Sequence, residues 1–325
     1  MTATAALPRA AFPRAALEPV GDWVSAGADL MGGRVSVHAR PSSEGTPDDT
    51  ARAVRVTLRR IATWAGRLTR FDPSSELSRL NAAPTARVDV GPTLTAALDW
   101  GRGAETISDG IVDVGLLDAR LLAETGGSLD GSPPIPAHRR WSLIRHGRGA
   151  TVDRPDGLRF DLDGVAKGWL ADRALDLLPG LSAVVDADGD VAVRVADDDG
   201  WSIGVTDPRD SGASLATLRF GRGDEPVARY GVATSGTSVH RWTRAGITRH
   251  HLIDPRTGRP ALTDVVQATV IARTARAAEA FVKTAVIVGS EAAARHLDRP
   301  DVLGQLLLLE TGEVLVTPAT VRFLA

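Results

Sequence analysis

A chain of 325 residues with 43% hydrophobic and 24% charged residues has enough apolar material for one large domain or two of ordinary size, which argues against disorder. Its 38 Lys plus Arg and 40 Asp plus Glu leave a net charge of −2, and no basic stretch is dense enough to follow a phosphate backbone, so nucleic acid is not an expected partner. The absence of Cys excludes disulfides, thiolate metal sites, thiol catalysis and a thiol for a lipid anchor.

The opening residues, "MTATAALPRAAFPRAALE", have apolar runs cut by Pro or Arg before they reach the length of a signal-peptide core. Residues 1–20 are therefore expected to be a disordered tail on a cytoplasmic protein, with a domain over 21–325. No later segment approaches 18 uninterrupted apolar residues, so no membrane insertion is expected.

"RVSVHAR" at 34–40 alternates as a strand does, and the spacing over 48–70 predicts a helix. "FDPSSELSRLN" at 71–81 combines a turn with a short polar helix, and a further amphipathic helix begins after Pro92 and stops at Gly110. Residues 124–140, rich in Gly, Ser and Pro, read as a mobile flap or a variable insertion. "LRFDLDG" then reads as strand and turn, "VAKGWLADRALDLLPG" as a helix, and "SAVVDADGDVAVRVA" as two strands around an Asp/Gly turn. "WSIGVTDPRD", "SLATLRFGRG" and "RYGVATSGT" supply more strands, and "HHLIDPRTGRP" a loop. "VVQATVIART", the helix "AEAFVKTAVIVG" and a hairpin turned at Thr311-Gly312 close the chain. Strands and helices are mixed rather than strictly alternating, which predicts an α+β fold.

Only Lys167 and Lys283 are lysines in a chain that writes every other cation as arginine. Several loops also combine Gly or Pro with one charged residue, the chemistry that brings a backbone close to a phosphorylated ligand.

The successive segments "FDPSSELSRLN", "DGIVDVGLL", "DLDGVAKGWLADRAL", "DADGDV", "IGVTDP", "VATSG", "HHLIDPRTG" and "AEAFVKTAVIVG" resemble, in order, the motifs of the ApbE-type flavin transferases. The likeness runs from "MGGRV", at Met31, to Gly289. It implies a single α+β domain of mixed, mostly antiparallel sheet with packed helices. It also implies FAD as ligand and substrate, Mg2+ as the ion that helps split the pyrophosphate, and transfer of FMN to a Thr or Ser hydroxyl of an acceptor protein with release of AMP. The alternatives are a homologue that binds FAD without catalysis or without metal, and an FAD pyrophosphatase.

Phosphoryl transfer asks the protein for positioning and charge neutralisation. Lys167, at a helix start after a tight turn, suits a ligand phosphate. By resemblance His251 is the general base for the acceptor hydroxyl, with Asp254 orienting its ring and Pro255 and Gly258 shaping the turn. Ser235 and Gly236 bring small groups to phosphate or isoalloxazine. Phe71 and Asp72 are expected beside an adenine or flavin face, with Ser75, Glu76 and Asn81 holding that loop; Ser75 is also a candidate helix cap. Asp113 and Met31 complete the cofactor-binding set the likeness implies.

Three stretches depart from the family pattern. Its "GGD" loop reads Asp188-Gly189-Asp190, and its "DLGG" turn reads Asp161-Leu162-Asp163-Gly164, each with an added carboxylate that calls for a cation. The family's metal-holding Asp and Thr align with Glu279 and Lys283. Those two are four residues apart, in the favourable order for an ion pair on one helix face. Glu279 is thus the candidate metal ligand, and Lys283 the candidate replacement for the metal itself, paired with Glu279 and with Asp163. A rival alignment shifted by one residue keeps Thr284 as the family threonine but places Glu279 five positions away, off that face.

Overall fold

Alternation at Val35, Val37 and Ala39 places three side chains on one side of an extended segment, and all three are fully buried. They belong to a nine-stranded sheet, antiparallel throughout, in a computed structural model that describes residues 18–20, 23–41, 45–125, 140–238, 241–244 and 247–325. In spatial order its strands are β1 (Glu18–Val20), β2 (Trp23–Leu30), β3 (Gly33–Ala39), β7 (Ala183–Ala187), β8 (Asp190–Val195), β11 (Ala228–Gly236), β16 (Val265–Ala272), β17 (Val302–Leu309) and β18 (Val314–Val316). A three-stranded sheet holds β4 (Arg87–Val90), β5 (Ser142–His146) and β6 (Gly149–Asp153). Hairpins join β9 (Trp201–Asp207) to β10 (Asp210–Phe220), β12 (Arg241–Arg244) to β13 (Ile247–His250), and β14 (Ile253–Asp254) to β15 (Arg259–Pro260).

The helices are α1 (Pro47–Leu68), α2 (Glu76–Ala82), α3 (Pro92–Ile107), α4 (Leu117–Thr125), α5 (Ala166–Leu175), α6 (Ala275–Val288) and α7 (Ser290–His296). One face of the large sheet is covered by α1 and α5, where Val54, Leu58, Ile61, Ala171 and Ala174 meet Val35, Val37 and Val185. The other face takes the β9–β10 hairpin, whose Trp201, Val205, Leu218 and Phe220 meet Val184, Val193 and Ile271. Covered on both sides, β8 is buried at every position. A strand with that environment carries an apolar run instead of an alternating pattern.

Helix α6 is the central helix. Twelve of its fourteen residues are buried, Thr274 caps its start by accepting the N–H of Ala277 at 3.3 Å, and Gly289 at φ 83° ends it. A helix enclosed on all sides is expected to be apolar all round. Glu279 and Lys283 break that rule.

The mixed, antiparallel α+β architecture agrees with the sequence expectation. The stretch at 158–162 does not: it is irregular chain, because the amide of Phe160 is taken by the side chain of Asn81 at 2.8 Å and that of Asp161 by the carbonyl of Val114 at 2.8 Å. Residues 1–17 of the expected tail and 126–139 of the expected flap lie outside the described residues, while Glu18–Val20 of that tail pair with Trp23–Ser25 as β1. Among the described residues no helix is long and apolar enough to cross a membrane.

Candidate functional site

Two-residue turns bring the site together. Asp188 (φ 58°) and Gly189 (φ 90°) join β7 to β8, and Met31 (φ 57°) and Gly32 (φ 82°) join β2 to β3. Positive φ at both central positions is the geometry that Asp-Gly favours in a tight hairpin, which accounts for the aspartate in the "DGD" loop. The two turns abut: a Cβ on Gly33 would lie 2.1 Å from Oδ1 of Asp188. Lys167, second residue of α5, reaches the same place and sets its Nζ 3.3 Å from Oδ2 of Asp188.

From there a cavity of about 190 Å3 opens, lined by Asp163, Lys167, Asp188, Asp190, Thr234, Ser235, Gly236, His251, Gln267 and Lys283. That is below the ~300–1,000 Å3 usual for a complete small-molecule site, so it suits the polar middle of a larger ligand. A second cleft adjoins it through Asp163, His251 and Lys283 and is mostly apolar, with Ile111, Val112, Val114, Leu116, Leu252 and Ile287 beside Asp113 and Arg120. The ionic cavity thus opens into a smaller apolar one of about 70 Å3, so the two together present a charged region beside an apolar region.

The electrostatics sort the carboxylates. Asp163 is penalised by burial, yet Arg120, Lys167 and Lys283 outweigh that and hold its pKa down at about 2. Burial also opposes the charge on Lys167, but Asp190, Asp163 and Asp188 overcome it and hold its pKa above the ordinary lysine value. Asp190 goes the other way: burial, and then Glu279, push it up to about 8, against the pull of Lys283 and Lys167. At neutral pH Lys167 is thus charged and Asp163 ionised while Asp190 is largely protonated, and Asp188 and Lys283 complete the charged side chains of the lining.

Lys283 is held from within its own helix. Its Nζ donates to Oε1 of Glu279 at 2.9 Å, while Oε2 of the same carboxylate accepts the amide of Gly168 on α5 at 2.9 Å. Glu279 has no exposed surface and Lys283 only 9%. On β11, Gly236 is required by space, since a Cβ there would lie 2.5 Å from the carbonyl oxygen of Val266. Ser235 beside it is half-buried and faces the cavity.

Of the residues singled out from the sequence, Asp163, Lys167, Asp190, Ser235, Gly236, His251 and Lys283 line this cavity, and Asp113 lines the adjoining cleft. Met31 is at the turn packed against the Asp188 loop. Others are placed elsewhere. Phe71 is 76% exposed, lies 4.3 Å from the Arg70 guanidinium, and borders a cleft that shares no residue with the other two. Asp72 accepts the amide and hydroxyl of Ser74 as a turn residue. Ser75 caps α2, accepting the amide of Ser78 at 2.9 Å and donating to the carbonyl of Thr69 at 2.5 Å. Glu76 accepts the amide of Gly91.

Asp254 corrects an expectation. Its carboxylate is taken by the guanidinium of Arg256 at 2.8 and 2.9 Å instead of orienting the His251 ring, and its carbonyl accepts the amide of Gly258 at the tip of the β14–β15 hairpin. Sequence reasoning also missed Gln267 and Arg120. Arg120 bonds Asp163 at 3.1 Å and Glu124 at 2.7 Å, and its signal was the i,i+4 Arg-Glu spacing in "DARLLAET".

The described residues contain no group of three or more His, Asp or Glu side chains arranged to hold a metal ion. Both oxygens of Glu279, the candidate ligand, are already engaged by an ammonium and an amide.

Comparison with known proteins bears on this arrangement. The chain is 33% identical over 148 residues to the FAD:protein FMN transferase of Treponema pallidum (strain Nichols), a stretch covering 42% of this chain and 39% of that protein. It is 29% identical over 223 residues to the enzyme of the same name from Vibrio cholerae, covering 66% and 60% of the two chains. The matched stretches thus span less than two thirds of either relative. Among solved structures, the ApbE protein of Thermotoga maritima superimposes with a TM-score of 0.72 at 22% identity, over 93% of this chain and 99% of that one. The flavin transferase ApbE of Vibrio cholerae does so with a TM-score of 0.68 at 20% identity, over 93% and 99%. At such identities the structural likeness speaks for the fold. The ApbE family model matches residues 31–306, a span that takes in every residue lining the cavity, and the chain belongs to the ApbE family.

Proposed function

We propose that this chain binds FAD and transfers its FMN half to a Thr or Ser hydroxyl of an acceptor protein, releasing AMP. One observation carries the reading: an ionic chamber with two lysine ammonium groups opens through His251 into an apolar cleft. The relatives named FAD:protein FMN transferase support the same reaction.

In this reading the diphosphate sits between Lys167 and Lys283, and a ring system occupies the apolar cleft. The acceptor hydroxyl oxygen attacks the phosphorus on the riboflavin side, and the bond from that phosphorus to the bridging oxygen breaks. AMP departs with the bridging oxygen, and the hydroxyl proton passes to His251. The two ammonium groups offset the charge that gathers on the phosphate oxygens. Mg2+, the ion expected by resemblance, does not fit the residues present, because Glu279 has no free oxygen to offer it. No step is assigned to it.

Incubating the purified chain with FAD and a protein extract from its source tests the proposal. Flavin fluorescence that stays on a protein band under denaturing conditions, together with equivalent AMP, is the expected result. FAD that binds and is recovered intact points instead to a flavin-binding protein without transfer, and AMP with free FMN to a pyrophosphatase. No saturable FAD binding overturns the reading.

A further inference from the structure

Burying an ion pair is poor practice for stability alone. Desolvating two charges offsets most of their attraction, and apolar residues of similar volume do as well or better. Apart from Thr284, whose hydroxyl donates back to the Ala280 carbonyl at 2.9 Å, the enclosed part of helix α6 is otherwise apolar, with Ala278, Phe281, Val282 and Val286 around the pair. A Glu279–Lys283 pair kept in that setting points to use of the charge. The ammonium is also directed, because Lys283 lines both chambers and its stem runs beside Gly164, where a Cβ would lie 3.7 Å from Cδ of the lysine.

The second observation concerns the carboxylate. With Oε2 on the Gly168 amide and Oε1 on the ammonium, Glu279 is consumed in holding the lysine. Asp163 gains charge stabilisation from the same ammonium. Every short contact of the pair is thus internal to the protein, while the ammonium retains donors for a ligand.

We propose that Lys283 is the resident cation of this site: its ammonium, clamped by Glu279, contacts the diphosphate of the bound dinucleotide, and the clamp excludes a protein-held divalent ion. The contact with the diphosphate rests on the flavin reading above, whereas exclusion of the divalent ion does not. FAD affinity is then unchanged by removal of divalent cations. Replacing the lysine with threonine removes a charged donor, frees Oε1 and introduces a hydroxyl, so Lys283→Thr gains an ion site as it loses flavin affinity.

The full-length chain is titrated with Mn2+ alone, followed by electron paramagnetic resonance, and separately with FAD, followed by flavin fluorescence, in EDTA and in Mg2+. The native chain is expected to hold no stoichiometric Mn2+ and to bind FAD within about twofold in the two buffers. Lys283→Thr is expected to bind FAD about tenfold to a hundredfold more weakly in EDTA, the size of one charged hydrogen bond, and to recover in Mg2+ while binding one Mn2+. Stoichiometric Mn2+ on the native chain overturns the proposal, as does native FAD binding that collapses in EDTA. Both decisive measurements use the native chain, so a variant that fails to fold does not rescue the idea. Absence of FAD binding in either buffer overturns the flavin reading and the diphosphate contact with it, and the Mn2+ titration still decides the ion.

Discussion

The carboxylate of Asp172 on α5 accepts the amide of Ala275 at the start of α6 at 3.0 Å, and its other oxygen accepts the next amide, that of Arg276, at the same distance. One side chain thereby fastens the helix that carries Lys167 to the helix that carries Lys283. Asp172→Ala leaves two helix-end amides without their acceptor and is expected to cost about 1–2 kcal/mol, or about 2–4 °C of melting temperature. An unchanged melting curve would remove Asp172 from this role.

Burial opposes the charge on Lys167, and Asp190, Asp163, Asp188 and Glu279 together hold it. Lys167→Met keeps most of the side-chain length without the charge and is expected to weaken FAD binding about tenfold to a hundredfold, measured by fluorescence titration. Affinity within a factor of two of the native chain would place the diphosphate elsewhere.

His251 is assigned to the proton and not to the ligand's charge. His251→Ala is therefore expected to lower the rate of flavin transfer by about 10²–10⁴ while FAD affinity stays within about threefold, comparing single-turnover rates with equilibrium binding. Equal losses in the two would make it a binding residue.

Two acids make stability depend on pH in a defined direction. Asp172 is pushed up to about 6 by burial, against its bonds to the Arg276 and Ala275 amides, and Asp190 to about 8 by burial and then Glu279. An acid whose folded-state pKa exceeds its usual 3.8 contributes fully below that value and loses the contribution as pH rises through the folded-state pKa. Their share of stability therefore falls between about pH 4 and pH 8. Asp163, held at about 2 against burial chiefly by Arg120, runs the opposite way, contributing above its usual 3.8 and losing that as pH falls through about 2. Urea midpoints are expected to be lower at about pH 8.5 than at about pH 5, with Asp190→Asn narrowing the difference. Identical narrowing by Asp188→Asn would show that general charge reduction, and not Asp190, is responsible.

Gly168 lies where a Cβ would be 2.6 Å from the carbonyl oxygen of Ala275. Gly168→Ala must push α5 from α6 and is expected to cost about 1–3 kcal/mol in chemical denaturation. Native stability in this variant would mean that the two helices yield more readily than their packing implies.

Much of this was legible in the sequence because the signals are local. The i,i+4 spacing of Glu279 and Lys283 fixes a shared helix face, and Asp188-Gly189 fixes a tight turn whatever surrounds it. What stayed hidden depends on partners distant in the chain. Nothing near Glu279 announces that its second oxygen is taken by an amide 111 positions away, or that Arg120 from α4 neutralises Asp163. Asp254 misled for the reverse reason: the neighbour two residues on, Arg256, competes successfully for its carboxylate. Phe71 was assigned by motif order, and order along a chain does not say which way a ring on an exposed turn points.

The first turn of α6 lies between two glycines that leave no room for a side chain: Gly168, and Gly231 on β11, where a Cβ would be 2.0 Å from the carbonyl carbon of Thr274. Main chain meets main chain on both flanks. Backbone contact therefore sets the closest approach of the helix bearing one amine to the helix bearing the other, a limit that no side-chain truncation can lower, while Asp172 ties the two together. Substitutions elsewhere in the interior leave that limit, and with it the spacing of the two helices, where it is.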